Sequence, residues 1–298
     1  MSAASFQHRD LAPGARIELV APAGPFDVSA FERGAARLGQ RYDVHYDAAM
    51  LERTGFLAGA DARRASELSR ALAQPNVAAI IAARGGYGCT RILPLMAATQ
   101  VRAHAPLLVG FSDITALHSL WAQARVASLH GSMVATLGTC SAELFTRFCA
   151  ALEGHFPARY EGLEGITTGS AEGILLGGNL AVLSALIGTP AFPPLEGAVL
   201  FLEDIAERPY RVDRMLTTWR SAGAFQGVRA IVLGSFTQCD AGPDGVAVDA
   251  VLRERLADLD IPIAAGLPAG HIPDNAELPF GRRVTLDASA GVLHLAAG

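Results

Sequence analysis

The feature that most constrains this chain is a recurring unit: a short apolar run breaks off on glycine, serine or an acid, and a helix-forming stretch follows. RIELVAPAG (16–24), NVAAIIAARGG (76–86) and APLLVGFS (105–112) are three such runs. The last two are strand-length and apolar throughout, the pattern of strands buried on both faces. YDVHYD (42–47) reads as a further short strand. The stretches between them have helical character. In DARRASELSRALAQ (61–74), Ala65, Leu68 and Leu72 fall at helical spacing, with Asp61 placed as a cap. In DITALHSLWAQAR (113–125), Ile114, Leu117, Trp121 and Ala124 share one face. Strand alternating with helix predicts a parallel sheet covered by helices on both sides.

The alternation lapses in EGHFPARYEGLEGITTGSAEG, which is rich in glycine and charge and has no periodicity. Beyond it come strands at AVLFLEDI, RAIVLGSF and RRVTLDASAGVLHLA, and helices at YRVDRMLTTWRSAG and VAVDAVLRERLADL, in a less regular order. At 298 residues the chain is long for one domain and suits two. The predicted organisation is an N-terminal α/β domain over 1–150, a linker over 151–172 and a smaller mixed α+β domain over 173–298.

Composition removes several classes of function. With 51% hydrophobic and 18% charged residues the chain can bury a large core. A net charge of −5 and the lack of any Lys/Arg cluster argue against a nucleic-acid partner. The opening MSAASFQHRDLAPG has neither the basic nor the apolar region of an export signal, so a cytoplasmic location is expected. The longest apolar stretch, GILLGGNLAVLSALIG (173–188), is broken by Asn179 and by glycines and falls short of the ~20 residues of a membrane span. Cys89, Cys140, Cys149 and Cys239 have no CxxC spacing and read as reduced thiols, and no metal or cofactor is expected.

In parallel sheets ligands collect at the carboxyl ends of the strands, so polar residues that end apolar runs are the candidates for chemistry. Ser112 ends LLVGF at a strand-to-helix turn. It is either a helix N-cap or a nucleophile whose setting, GFSDI, approaches the GxSxG elbow. Glu203 and Asp204 end AVLFLED. Either could orient an imidazole, or both could be solvated or paired with Arg208 or Arg211. His271 stands in the Pro/Gly-rich loop GHIPDNAELPFG and is preferred as the base over His130 and over His118, whose ring points to a different helical face from Ser112. In ARGGYGCTRI the amides of Gly85 and Gly86 are open to close approach and suit an oxyanion hole. Cys89, just beyond, is a rival nucleophile without any sign of activation.

Taken in order, VAPAGP, FLAGADARRASEL, ARGGYGCTRILP, LLVGFSDITALH, SLHGSM, GGNLAVLSALIGTP, FLEDIAERPYRVDRML, GSFTQC and GHIPDNAELPFG resemble the serine LD-carboxypeptidases. This muramoyltetrapeptide carboxypeptidase family also includes the microcin-immunity hydrolases. The resemblance spans nearly the whole chain. It implies Ser112 as nucleophile, His271 as general base, Glu203 as the acid that orients it, and the amides of Gly86 and Asp113 as the oxyanion hole. Ala23 stands where many members carry serine, in a segment with no implied catalytic group. The expected fold class is a flavodoxin- or amidotransferase-like parallel-sheet domain followed by a smaller mixed α+β domain.

The activity so implied is hydrolysis of the bond between meso-diaminopimelate (or L-lysine) and terminal D-alanine in a murein tetrapeptide, as in cell-wall recycling, by a cytoplasmic homodimer. Arg84 and Gly85 are candidates for binding substrate, Arg84 by pairing with a carboxylate. Two alternatives stand beside this reading: a microcin-type hydrolase of peptidyl or aminoacyl nucleotides, and a non-catalytic α/β protein that binds a small ligand.

Overall fold

The protein is described here by a computed structural model covering residues 5–296. The first four residues, part of the opening segment read for an export signal, and the last two lie outside the described residues. The chain divides into two compact units. The first comprises the described residues up to Phe156 together with Glu277–Gly281, and the second comprises Pro157–Ala276 and the residues from Arg282 onward.

In the first unit the expected alternation is present. In chain order the elements are β1 (Arg16–Val20), α1 (Val28–Gly39), β2 (Asp43–His45), α2 (Asp61–Leu72), β3 (Val77–Ala82), α3 (Cys89–Ile92), α4 (Ala98–His104), β4 (Leu107–Gly110), α5 (Thr115–Ala124), β5 (Ser128–His130), α6 (Val134–Leu137) and α7 (Ala142–Leu152). Strands β2, β1, β3, β4 and β5 lie side by side in that order, all parallel. The order is flavodoxin-like, and in sheets of this kind ligands bind at the carboxyl edge where the order reverses, here between β1 and β3.

One face of this sheet is sealed by α1 and α7. Asp27 caps α1 by accepting from the Ala30 amide at 2.6 Å. Phe31, Ala35 and Leu38 then fall on one stripe and bury against Ile17, Leu19, Ile81, Val109 and Phe148. Each large side chain so buried contributes about 1.5–3 kcal/mol. Asp61 does not cap α2: Ala60 is the cap residue, and the Asp61 carboxylate pairs instead with Arg64 and Arg91.

The second unit has β6 (Arg159–Tyr160), β7 (Glu164–Gly165), β8 (Ser170–Asn179), α8 (Leu180–Leu186), β9 (Ala198–Ile205), α9 (Pro209–Ser221), β10 (Ala230–Thr237), α10 (Val248–Leu256) and β11 (Ile263–Ala265). The chain then contributes β12 (Leu278–Phe280) to the first unit and returns with β13 (Arg283–Asp287) and β14 (Val292–Leu295). The eight-stranded sheet runs β6-β14-β13-β8-β9-β10-β11-β7, with β8 to β11 parallel and the flanking pairs antiparallel.

Two local expectations differ from this architecture. Residues 151–172 are not bare connection, since they carry the end of α7, both short edge strands and the start of β8. LPF in the loop after His271 is a strand, antiparallel to β5, and it closes one edge of the first sheet. Both differences come from pairing partners about 100 residues or more away, as in Leu278 opposite His130 and His294 opposite Arg159, which local composition does not register.

Candidate active site

Ser112 follows the last residue of β4 by two positions and opens a single 3-10 turn, Ser112–Ile114, that leads into α5. Phe111 before it is extended, and Ser112 itself has φ +61°, left-handed backbone that a non-glycine residue adopts only at a cost of about 1–3 kcal/mol. The turn is tight because it packs against the glycine loop after β3. A Cβ on Gly85 would lie 3.0 Å from Ser112 Cβ and 3.1 Å from its Oγ, so only a glycine leaves the hydroxyl room. The Gly85 carbonyl in turn accepts from the Gly24 amide at 3.0 Å, which ties the ends of β1 and β3 together at the switch point. The serine is no cap: it is the first residue of the turn, whose cap position is Phe111, and Ile114 holds the cap position of α5.

Asp113 fastens the same turn from the other side. It is 2% exposed, and its Oδ2 accepts from the Cys89 amide at 2.8 Å, at the start of α3. Burial raises its pKa, against the lowering effect of that hydrogen bond. The backbone amides of Gly86, with φ +109°, and Asp113 donate to no group among the described residues. Cys89 is fully buried, and burial followed by the neighbouring Asp113 carboxylate pushes its thiol pKa well up, the opposite of an activated nucleophile. Arg84 is exposed beside this loop. One of its nitrogens donates to the Pro25 carbonyl at 2.7 Å, and no carboxylate lies within ion-pair distance of it among the described residues.

In the second unit, alternation along β9 sends Glu203 and Asp204 to opposite faces. Glu203 is fully buried, and its Oε2 lies 2.7 Å from His271 Nδ1. The carboxylate's other oxygen has no hydrogen-bond partner among the described residues, so the imidazole is its main compensation. Since a carboxylate only accepts, Nδ1 carries the proton and Nε2 is left with its lone pair in the neutral ring. The His271 loop is held in place by Asn275, whose Oδ1 accepts from the Gly270 amide at 2.7 Å. Gly270 has φ +121°, and a Cβ there would come within 2.5 Å of Ser235 Oγ and 2.9 Å of Glu203 Oε2.

Asp204 is occupied elsewhere. It accepts from Asn179 Nδ2 and the Ala181 amide, both at 2.9 Å, and from the Ile205 amide at 2.8 Å, anchoring the start of α8. Burial raises its pKa to about 6. Among the described residues neither acid pairs with Arg208 or Arg211: Arg211 faces Glu207 at 3.6 Å. The rival histidines are also accounted for. His118 is buried, bonded to Ser128 and Gly110, and depressed by burial to about 4. His130 is buried between the rings of Phe111 and Phe280. Gly270, Asn275, Ser235 and the Asp113 carboxylate escaped sequence reasoning. Only the glycine carried any signal, as a residue directly before the candidate histidine.

The first unit thus holds a strained serine over a glycine loop, and the second a buried carboxylate–imidazole pair. The LD-carboxypeptidase N-terminal domain matches residues 17–131, and the LD-carboxypeptidase C-terminal domain matches residues 172–286. The chain therefore belongs to the LD-carboxypeptidase family, a family of peptidases. The murein tetrapeptide carboxypeptidase of Pseudomonas aeruginosa is 29% identical over 290 residues, 92% of this chain and 94% of its own length. A relative from Streptomyces coelicolor, provisionally named a carboxypeptidase, is 38% identical over 96% of this chain and 94% of its own. Among solved structures, the muramoyltetrapeptide carboxypeptidase from Oxalobacter formigenes superposes with a TM-score of 0.81 at 31% identity, covering 94% of this chain and 97% of that one. The microcin C7 self-immunity protein shares the fold, with a TM-score of 0.85 at 21% identity over 97% of this chain and 98% of that one.

Proposed function

We propose that this protein is a serine carboxypeptidase that hydrolyses the bond between meso-diaminopimelate, or L-lysine, and the terminal D-alanine of murein tetrapeptides. The observation that carries the reading is Ser112 at φ +61°, pressed onto Gly85 with the Gly86 and Asp113 amides available beside it. The buried Glu203–His271 pair supports it, as do the murein tetrapeptide carboxypeptidases among the relatives.

In this mechanism Ser112 Oγ attacks the acyl carbon of the scissile bond and His271 Nε2 takes its proton. The imidazolium that forms is stabilised by buried Glu203, whose charge no solvent screens. The oxyanion of the tetrahedral intermediate is received by the Gly86 and Asp113 amides, preorganised because Gly85 and the Asp113 carboxylate hold the turn. His271 gives the proton to the departing D-alanine nitrogen. Water then attacks the acyl-serine by the same proton transfers, releasing the tripeptide and restoring Ser112. Arg84, exposed and with no acidic partner among the described residues, is proposed to pair with the substrate's terminal carboxylate.

The deciding experiment is mass spectrometry of murein tetrapeptide incubated with the protein. Release of D-alanine and a tripeptide supports the reading. An intact tetrapeptide, alongside cleavage of an aminoacyl nucleotide offered in parallel, sinks it in favour of the microcin-type activity.

A further inference from the structure

We infer that His118 is a positioning residue for the proposed nucleophile: its Nε2–H, kept in that tautomer by Ser128, pins the Gly110 carbonyl and thereby the strained turn that presents Ser112. The inference rests on the reading of Ser112 as nucleophile. His118 lies on α5, 3% exposed, with Nε2 2.9 Å from the Gly110 carbonyl oxygen and Nδ1 2.8 Å from Ser128 Oγ. A carbonyl only accepts, so Nε2 must be the protonated nitrogen and Nδ1 must accept from the Ser128 hydroxyl. The ring is then neutral and each of its nitrogens is matched. The depression of its pKa by burial to about 4 agrees with that state. Phe280 meets the ring edge-on at 5.1 Å between centroids, so the ring is held by packing as well as by polar contacts.

Gly110 is the last residue of β4, two positions before Ser112, and among the described residues its carbonyl has one other donor, the Gly131 amide at 3.2 Å. A residue in left-handed backbone stays there only if its surroundings over-determine it. Gly85 presses on the serine from one side. The histidine holds the entry to the turn from the other. Without that donor the carbonyl keeps only its longer bond, and the peptide units between Gly110 and Ser112 are free to rotate the hydroxyl away. Filling this space calls for no more than a leucine or phenylalanine. A buried imidazole with both nitrogens bonded points instead to a directional role.

The test compares wild type with His118→Gln, His118→Asn and Ser128→Ala. Glutamine places an amide N–H the same number of bonds from the backbone as Nε2, whereas asparagine places it where Nδ1 stands and leaves the Gly110 carbonyl with only the Gly131 amide. The readouts are kcat and KM on murein tetrapeptide, and the rate at which a fluorophosphonate labels Ser112, located by peptide mass spectrometry. Expected is a fall in kcat and labelling rate for His118→Asn of up to ~100-fold, the scale of a misplaced reacting group. KM should be unchanged, and His118→Gln should restore most of the loss. Ser128→Ala, which frees the tautomer but keeps the ring, should show a smaller fall of the same kind. Equal kcat in His118→Asn and wild type, an equal loss in Gln and Asn, or a loss confined to KM overturns the inference. If His118→Asn does not fold, Ser128→Ala decides, and wild-type labelling by that variant overturns the inference. Failure of the wild type to label at Ser112 overturns the nucleophile reading itself and is read before any variant.

Discussion

Ser112 combines a reactive group with an unfavourable backbone, and the two can be separated. Ser112→Gly should abolish tetrapeptide hydrolysis while leaving the protein as stable as wild type or up to about 1 kcal/mol more stable, because glycine adopts φ +61° without the Cβ penalty. Urea unfolding beside an activity assay checks both halves. Residual turnover within a few-fold of wild type would remove Ser112 from the mechanism. Glu203→Gln keeps the size of the side chain but loses the charge opposed to the imidazolium, and in a comparable triad such a change costs about 10⁴ in kcat. The adjacent Asp204→Asn should leave kcat nearly untouched, since Asp204 is committed to Asn179 and the start of α8. A reversed outcome would mean that the wrong carboxylate carries the role. Local sequence presented these two acids as equals, and only the resemblance of the FLED motif to the family favoured Glu203. Strand alternation divides them, and only the long-range contacts say which side holds the histidine.

At the scale of elements, the loop from Gly270 to Asn275 acts as a bracket for the Glu203–His271 pair. Gly270→Ala should push Glu203 and Ser235 apart from the loop, lower kcat toward the level of Glu203→Gln, and cost about 1–3 kcal/mol from the strained φ of +121°. Full activity in that variant would show the loop to be more yielding than its packing implies. The strand ends also set a pH signature. Asp204, at the end of β9, has its pKa raised from 3.8 to about 6, so the folded state binds the proton more tightly and stability is lost as pH rises through that window. His118 on α5 is lowered from 6.5 to about 4, so there the unfolded state binds the proton more tightly and stability is gained over nearly the same window. Each effect is on the order of 3 kcal/mol, and they oppose one another. Asp204→Asn should therefore expose the rise from His118: its stability relative to wild type should increase between pH 4 and 6. A difference that does not change with pH would contradict the raised Asp204 pKa.

For the whole molecule the sharpest prediction concerns substrate choice. A carboxypeptidase site that pairs a terminal carboxylate leaves a cationic or N–H donor unsatisfied when that charge is missing, a mismatch worth up to ~10⁴ in kcat/KM at a dedicated polar site. The tetrapeptide ending in D-alanine should be cut well. Its C-terminal amide should be cut poorly, and so should the pentapeptide, whose extra D-alanine moves the carboxylate by one residue. Equal kcat/KM on acid and amide would make the protein an amidase or endopeptidase. Among the described residues no helix is long and apolar enough to cross a membrane.

What the sequence by itself determined was the alternation of strand and helix, the assignment of Ser112, Glu203 and His271 to strand ends and a loop, and, through its run of motifs, the family. These depend on residues two to four positions apart and on motif order, which a linear reading captures. Tertiary structure decided the rest. It set Glu203 rather than Asp204 against His271, 68 residues away, and joined Leu278–Phe280 to the first sheet. It also made edge strands of a presumed linker and turned His118 from a rival base into a neutral buried donor. The physical reason is common to all four. Burial and hydrogen-bond pairing are properties of what surrounds a side chain, and those neighbours come from parts of the chain whose separation leaves no local trace.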